Sequence, residues 1–161
     1  MKRLFIIFSL TYLFFLAEFL LFNVFGRWGK PDLLLILIIF FNLYLGIRYG
    51  LVAAFFAGVL KDALSAQVFG IYIFLFMCAA FLATVLRRNF YRPGSRLSRL
   101  VVTGGVVAVF VLAQAVLYAM TYDLDWKGVI QYVFFPEVVV TMASATVIFT
   151  NLKEFADRVH L

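Results

Sequence analysis

Residues Tyr49–Gly70, YGLVAAFFAGVLKDALSAQVFG, decide how the chain is organised. The stretch is apolar enough for a membrane helix, yet Lys61 and Asp62 stand well inside it. Gly50, Ala54 and Gly58 recur four residues apart, and Asp62 is next on the same ladder. At about 3.6 residues per turn, such positions stack nearly above one another. The segment therefore has a thin face, where another helix can come close, and that face ends in a carboxylate. Lys61 and Asp62 are sequence neighbours, so on a helix they point about 100° apart and serve different partners.

The chain around this stretch has the same character. It has 161 residues, 66% of them hydrophobic, and a mean hydropathy of +1.07. Soluble domains run at about 45–50% apolar and could not hide this much. Several runs approach the roughly 18 apolar residues that cross a bilayer core. The expectation is an all-α, polytopic membrane protein in one domain over 1–161, a bundle of six transmembrane helices. Their bounds are expected at about 4–25, 31–46, 50–67, 69–87, 100–122 and 129–150. The first run, Leu4–Phe25, is longer than a signal-peptide core, and no A-x-A site follows it, so it reads as an uncleaved helix. Pro31 and Asp32 open the second helix, where proline fits and an acid suits the dipole.

Charge sets the expected orientation. The net charge of +6 sits at the ends of apolar runs and reads as a topology signal, with no nucleic-acid partner implied. With both termini cytoplasmic, the inside carries Lys2, Arg3, Arg48, Arg87, Arg88, Arg92, Arg96, Arg99, Lys153 and Arg158. The outside carries Arg27, Lys30, Lys61 and Lys127, together with Trp28 and Trp126 as an aromatic belt. The basic loop at 87–99 is read as a topology determinant touching anionic membrane lipid, the alternative being a surface that holds a cytosolic partner.

Chemistry-bearing motifs are missing. There is no Gly-x-Ser-x-Gly, no His-Glu-x-x-His, no Walker A motif and no acidic cluster for Mg²⁺. The single cysteine, Cys78, allows neither an intrachain disulfide nor a cysteine metal site, and the one histidine, His160, lies in the tail. No cofactor and no enzymatic activity are expected.

Polar residues within the apolar spans need an explanation. At about 1.5 Å per residue, Glu18, Asp62 and Gln114 fall roughly 21, 18 and 21 Å along their helices, and Glu137 falls at a similar depth. A charge at a helix centre costs about 2.5–3.5 kcal/mol on insertion scales. Glu18, Lys61, Asp62, Gln114 and Glu137 then form a candidate polar layer. In it Lys61 neutralises Glu18 or Glu137, and Asp62 faces the bundle interior. The alternative is that these groups sit at the membrane interface. The Gly50/Ala54/Gly58 face either packs inside the bundle or receives a partner's helix. Gly104, Gly105 and Ala108 pose the same choice.

Residues 31–70 carry a resemblance. Pro31-Asp32-Leu-Leu-Leu35, Gly46-x-Arg48-x-Gly50, Gly58-x-x-x-Asp62-x-x-Ser65 and Gly70, in that order and spacing, resemble the rod shape-determining MreD family. The resemblance implies a non-enzymatic scaffold in the bacterial cytoplasmic membrane. Its direct partner would be MreC, and its indirect partners MreB, RodA and the elongation transpeptidase. It also implies a fold similar to the substrate-binding component of energy-coupling-factor transporters. Asp32, Arg48, Gly50, Ala54, Gly58, Lys61 and Asp62 become candidate structural or partner-binding residues. A homo-oligomer stays open. The rival reading is a vitamin-like small-molecule binding or transport component, with the polar layer lining its pocket.

Overall fold

The computed structural model describes residues 2–25, 31–65, 69–90, 96–122 and 135–159. These residues form six helices: α1 Lys2–Phe25, α2 Leu33–Tyr44, α3 Ile47–Leu64, α4 Ile71–Phe90, α5 Arg96–Tyr122 and α6 Phe135–Val159. The all-α, six-helix expectation holds. The turns carrying Arg27, Trp28, Lys30, Arg92, Trp126 and Lys127, and His160 at the tail, lie outside the described residues.

α2 is the axis of the bundle. Its sequence, LLLILIIFFNLY, is hydrophobic on every side, so it must be enclosed on every side. Leu33 to Leu43 are all buried, most of them completely. α1, α3, α4, α5 and α6 surround α2, each packed on the next in that order. α1, α4 and α5 contain stretches long and apolar enough to cross a membrane, at Leu4–Leu21, Ile71–Phe90 and Leu97–Leu117. The apolar stretches Leu33–Tyr44 and Pro136–Leu152 are shorter.

The helix bounds differ from the expected ones where capping intervenes. Asp32 caps α2 from outside the helix, its carboxylate accepting from the Leu35 N–H at 3.2 Å. The turn after α2 is tighter than the five residues 46–50. Leu45 and Gly46 make it between them, with Gly46 at φ +97°, a left-handed conformation that costs glycine nothing. Helix α3 therefore starts at Ile47, and Arg48 is an exposed residue of its first turn. At the C-terminal side, α6 runs on to Val159, well past the expected end near 150.

The thin face of α3 is used up inside the bundle. Gly50, Ala54 and Gly58 are all buried. A Cβ at Gly50 would meet Asn42 of α2 at 2.9 Å, and one at Gly58 would run into the Ile73 backbone of α4. On α5, Gly104 faces Met142 of α6, and Gly105 faces Leu86 of α4. These small residues let helices of this chain approach one another.

Gly58→Ala should lower stability by about 1–3 kcal/mol, because backbone atoms of α4 cannot step aside as a side chain can. Gly104→Ala should cost much less, since its nearest neighbour is the flexible Met142 terminus at 3.2 Å. Thermal unfolding of both variants in detergent micelles checks the ranking.

Candidate functional site

Three helix ends meet at one end of the bundle. They are the N-termini of α2 and α4 and the C-terminus of α3. Helix N-termini carry partial positive charge and unpaired N–H groups; C-termini carry the reverse. The side chains that gather there match those signs. Lys61 lies in the last turn of α3. Its ammonium donates to Asp32 Oδ2 at 2.7 Å and pairs with Glu18 Oε1 at 3.2 Å.

Each of these carboxylates is used twice. The other oxygen of Asp32 caps Leu35, and the other oxygen of Glu18 accepts from the Leu34 N–H at 3.3 Å. The Asp32 N–H donates in turn to the Thr141 hydroxyl of α6 at 3.2 Å. The first turn of α2 is thus satisfied from α1, α6 and its own cap. Glu18 and Asp32 are buried and Lys61 is nearly so, with side-chain exposures of 5%, 1% and 11%. Lys61 Nζ also sits 5.1 Å from the ring centroids of both Tyr72 and Phe76, within cation–π reach.

Asp62 turns the other way and closes the second N-terminus. Its carboxylate accepts from the N–H groups of Gly70 at 3.0 Å, Tyr72 at 3.0 Å and Ile73 at 3.1 Å. Gly70, at φ +105°, bends the chain so that its own N–H points back at α3. Adjacent residues therefore hold two different helices.

The remaining predicted positions fall as follows. Gln114 lies one step further out, its amide donating to the Tyr72 hydroxyl at 3.3 Å. Glu137 is half-buried in the first turn of α6, one turn before Thr141. Arg48 is at the opposite end. There Asn42, Thr84 and Arg87 form a polar contact that the sequence reading did not single out. The Asn42 amide donates to the Ala80 carbonyl at 2.7 Å and to Thr84 Oγ1 at 3.0 Å, and Arg87 donates to the Asn42 carbonyl at 2.9 Å. Asn42 is the one polar residue between Leu33 and Leu43, which is the signal that could have found it.

A family model for rod shape-determining protein MreD matches residues 1–159, essentially the whole chain. The chain belongs to the MreD family. No curated protein and no solved structure matches it. In this MreD-family chain, the resemblance residues Asp32, Asp62 and Gly70 all take part in closing the helix ends just described. The oxygens of Glu18, Asp32 and Asp62 are spent on an ammonium and on backbone N–H groups. What the cluster does chemically is tie α1, α2, α3, α4 and α6 together.

Lys61→Met should destabilise the fold by about 3–5 kcal/mol, because it leaves two buried carboxylates facing each other. Adding Glu18→Gln should recover part of that loss, and a double-mutant cycle on unfolding measures the coupling. Asp62→Ala strips three N–H groups of their acceptor and should cost about 2 kcal/mol, the upper end for a helix cap. Hydrogen exchange at Gly70–Ile73 should rise in that variant.

Proposed function

We propose that this chain is a non-enzymatic, multi-pass scaffold of the bacterial cytoplasmic membrane. It binds MreC and helps couple MreB to RodA and the elongation transpeptidase during peptidoglycan synthesis. A role in rod-shape determination follows from membership of the MreD family; that is the observation carrying the proposal. The geometry is in keeping with a scaffold. The described charges at the three-helix junction are consumed in holding helices together, while the outer surface is apolar. α1 buries Ile7, Thr11 and Glu18 along one stripe and leaves Phe5, Tyr12, Leu13, Phe19 and Leu20 exposed. α4 exposes Phe74 and Phe81. With the Gly50/Ala54/Gly58 face occupied, a partner helix docks on this outer surface.

Even helix number supports both termini on one side. Glu18 reaches the three-helix junction from late in α1, so α1 starts at the opposite end, where α6 also finishes. Placing that end in the cytoplasm puts Arg48, Arg87, Arg88 and Arg99 there as well, as the positive-inside rule requires.

The rival, a small-molecule binding or transport component, draws on one observation. An apolar groove of about 600 Å³ runs between α4 and α5, lined by Phe69, Phe74, Leu75, Ala113, Val116 and Leu117. A specific small-molecule site would also need a few convergent polar groups to fix its ligand, and the described lining residues carry no polar side chain. The scaffold reading therefore stands ahead.

Depletion in the native host should turn rod-shaped cells round, and affinity-tagged protein should bring down MreC from solubilised membranes. Unchanged cell shape combined with loss of a vitamin uptake activity would reverse the order of the two readings.

A further inference from the structure

We propose that the end of the bundle at the α2–α3 turn binds the phosphate-bearing headgroup of one anionic phospholipid, held by Arg87 and Arg99. The two arginines come from different helices and converge on the last turn of α2. Arg87 Nη1 donates to the Asn42 carbonyl at 2.9 Å, and Arg99 Nη1 donates to the Tyr44 hydroxyl at 3.2 Å. Both side chains are half-buried, and both partners are neutral. Neither arginine has an ion-pair partner among the described residues. Glu154, further along α6, is exposed and pairs with neither. Arg48 and Arg88 stand at the same end but are exposed and lie outside this pair.

The contrast with the other end is the core of the inference. There, one lysine is matched by two carboxylates. Here, among the described residues, two anchored guanidiniums meet no carboxylate, only the C-terminal ends of α2 and α4, each equivalent to roughly half a negative charge. Each guanidinium has five N–H donors in a planar fork, and one is spent. The rest match phosphate oxygens in geometry as well as charge. Flanking side chains favour a phosphate that brings acyl chains over a free one. Val85 and Phe90 on α4, and Leu97 and Val101 on α5, are exposed large apolar residues within three positions of the two arginines along their helices, at the same level of the bundle. Basic pockets between membrane helices bind anionic headgroups by this combination.

Native mass spectrometry of the full chain tests the site, after reconstitution with mixed phosphatidylglycerol and phosphatidylcholine. One phosphatidylglycerol should be retained in preference to phosphatidylcholine, and inorganic phosphate should not displace it. Arg99→Gln should weaken retention about tenfold, as expected for one charge-assisted hydrogen bond. The thermal unfolding midpoint in pure phosphatidylcholine should fall by no more than about 4 °C in that variant, the cost of the lost Tyr44 hydrogen bond, which separates lost binding from lost folding. Arg88→Gln should retain the lipid as the parent does. Equal retention of both lipids, an unchanged Arg99→Gln, or an equal loss in Arg88→Gln would each overturn the site. Displacement by inorganic phosphate would assign it to a free anion and overturn the lipid reading.

Discussion

The ammonium of Lys61, held between Asp32 and Glu18, is the interaction on which the bundle depends. A buried charge is tolerated only when it is paired and its remaining hydrogen-bonding capacity is filled. Here both conditions are met by the same atoms. Each carboxylate turns one oxygen to the lysine and the other to a backbone N–H of α2. The pairing therefore does more than cancel charge. It fixes the rotation of α1 about its axis, the axial position of α2 and the depth at which α3 ends. A shift of one residue in any of the three would break at least one hydrogen bond and leave a charge unpaired.

The same sign logic governs the whole of α2. Acids stand at its N-terminus and Arg87 at its C-terminus, so each end meets the charge its dipole favours. Between them the helix offers almost nothing polar, and all five neighbouring helices lie against it. Asn42 is the exception, and it is matched by Ala80 and Thr84. The close approach of Gly50 makes room for it. Packing and polar contact are therefore one arrangement: the small residues of α3 admit α2 and α4, and the charged residues lock them at their ends.

Much of this was legible in the residues. Six apolar runs read directly as helices, since a bilayer leaves a long hydrophobic segment little other choice. The Gly50/Ala54/Gly58 spacing marks a close-packing face because four-residue periodicity is local. The neighbours Lys61 and Asp62 must point apart, and they do reach different helices. The pairing of Lys61 with Asp32 was not legible. Counting depth from expected helix ends takes the second and third helices as 31–46 and 50–67, but α2 is a 12-residue helix and α3 begins three residues early. Those offsets bring Asp32 to the level of Lys61. Arg87 was read as part of a basic loop, because nothing in a linear sequence shows that α4 continues beside the C-terminus of α2.

The shortness of α2 also bears on how the protein sits in lipid. Its length is about 18 Å at ~1.5 Å per residue, against a hydrocarbon thickness of about 30 Å. Polar groups close both of its ends. If the arginines lie at headgroup level, the opposite cap is submerged by roughly 12 Å. The longer outer helices, not the bilayer, must then shield it. Hydrophobic mismatch is thereby moved from the lipid boundary into the protein interior. α1, α4 and α5 hold stretches long enough to cross a bilayer, while the axis they enclose ends short, at a cluster of charge.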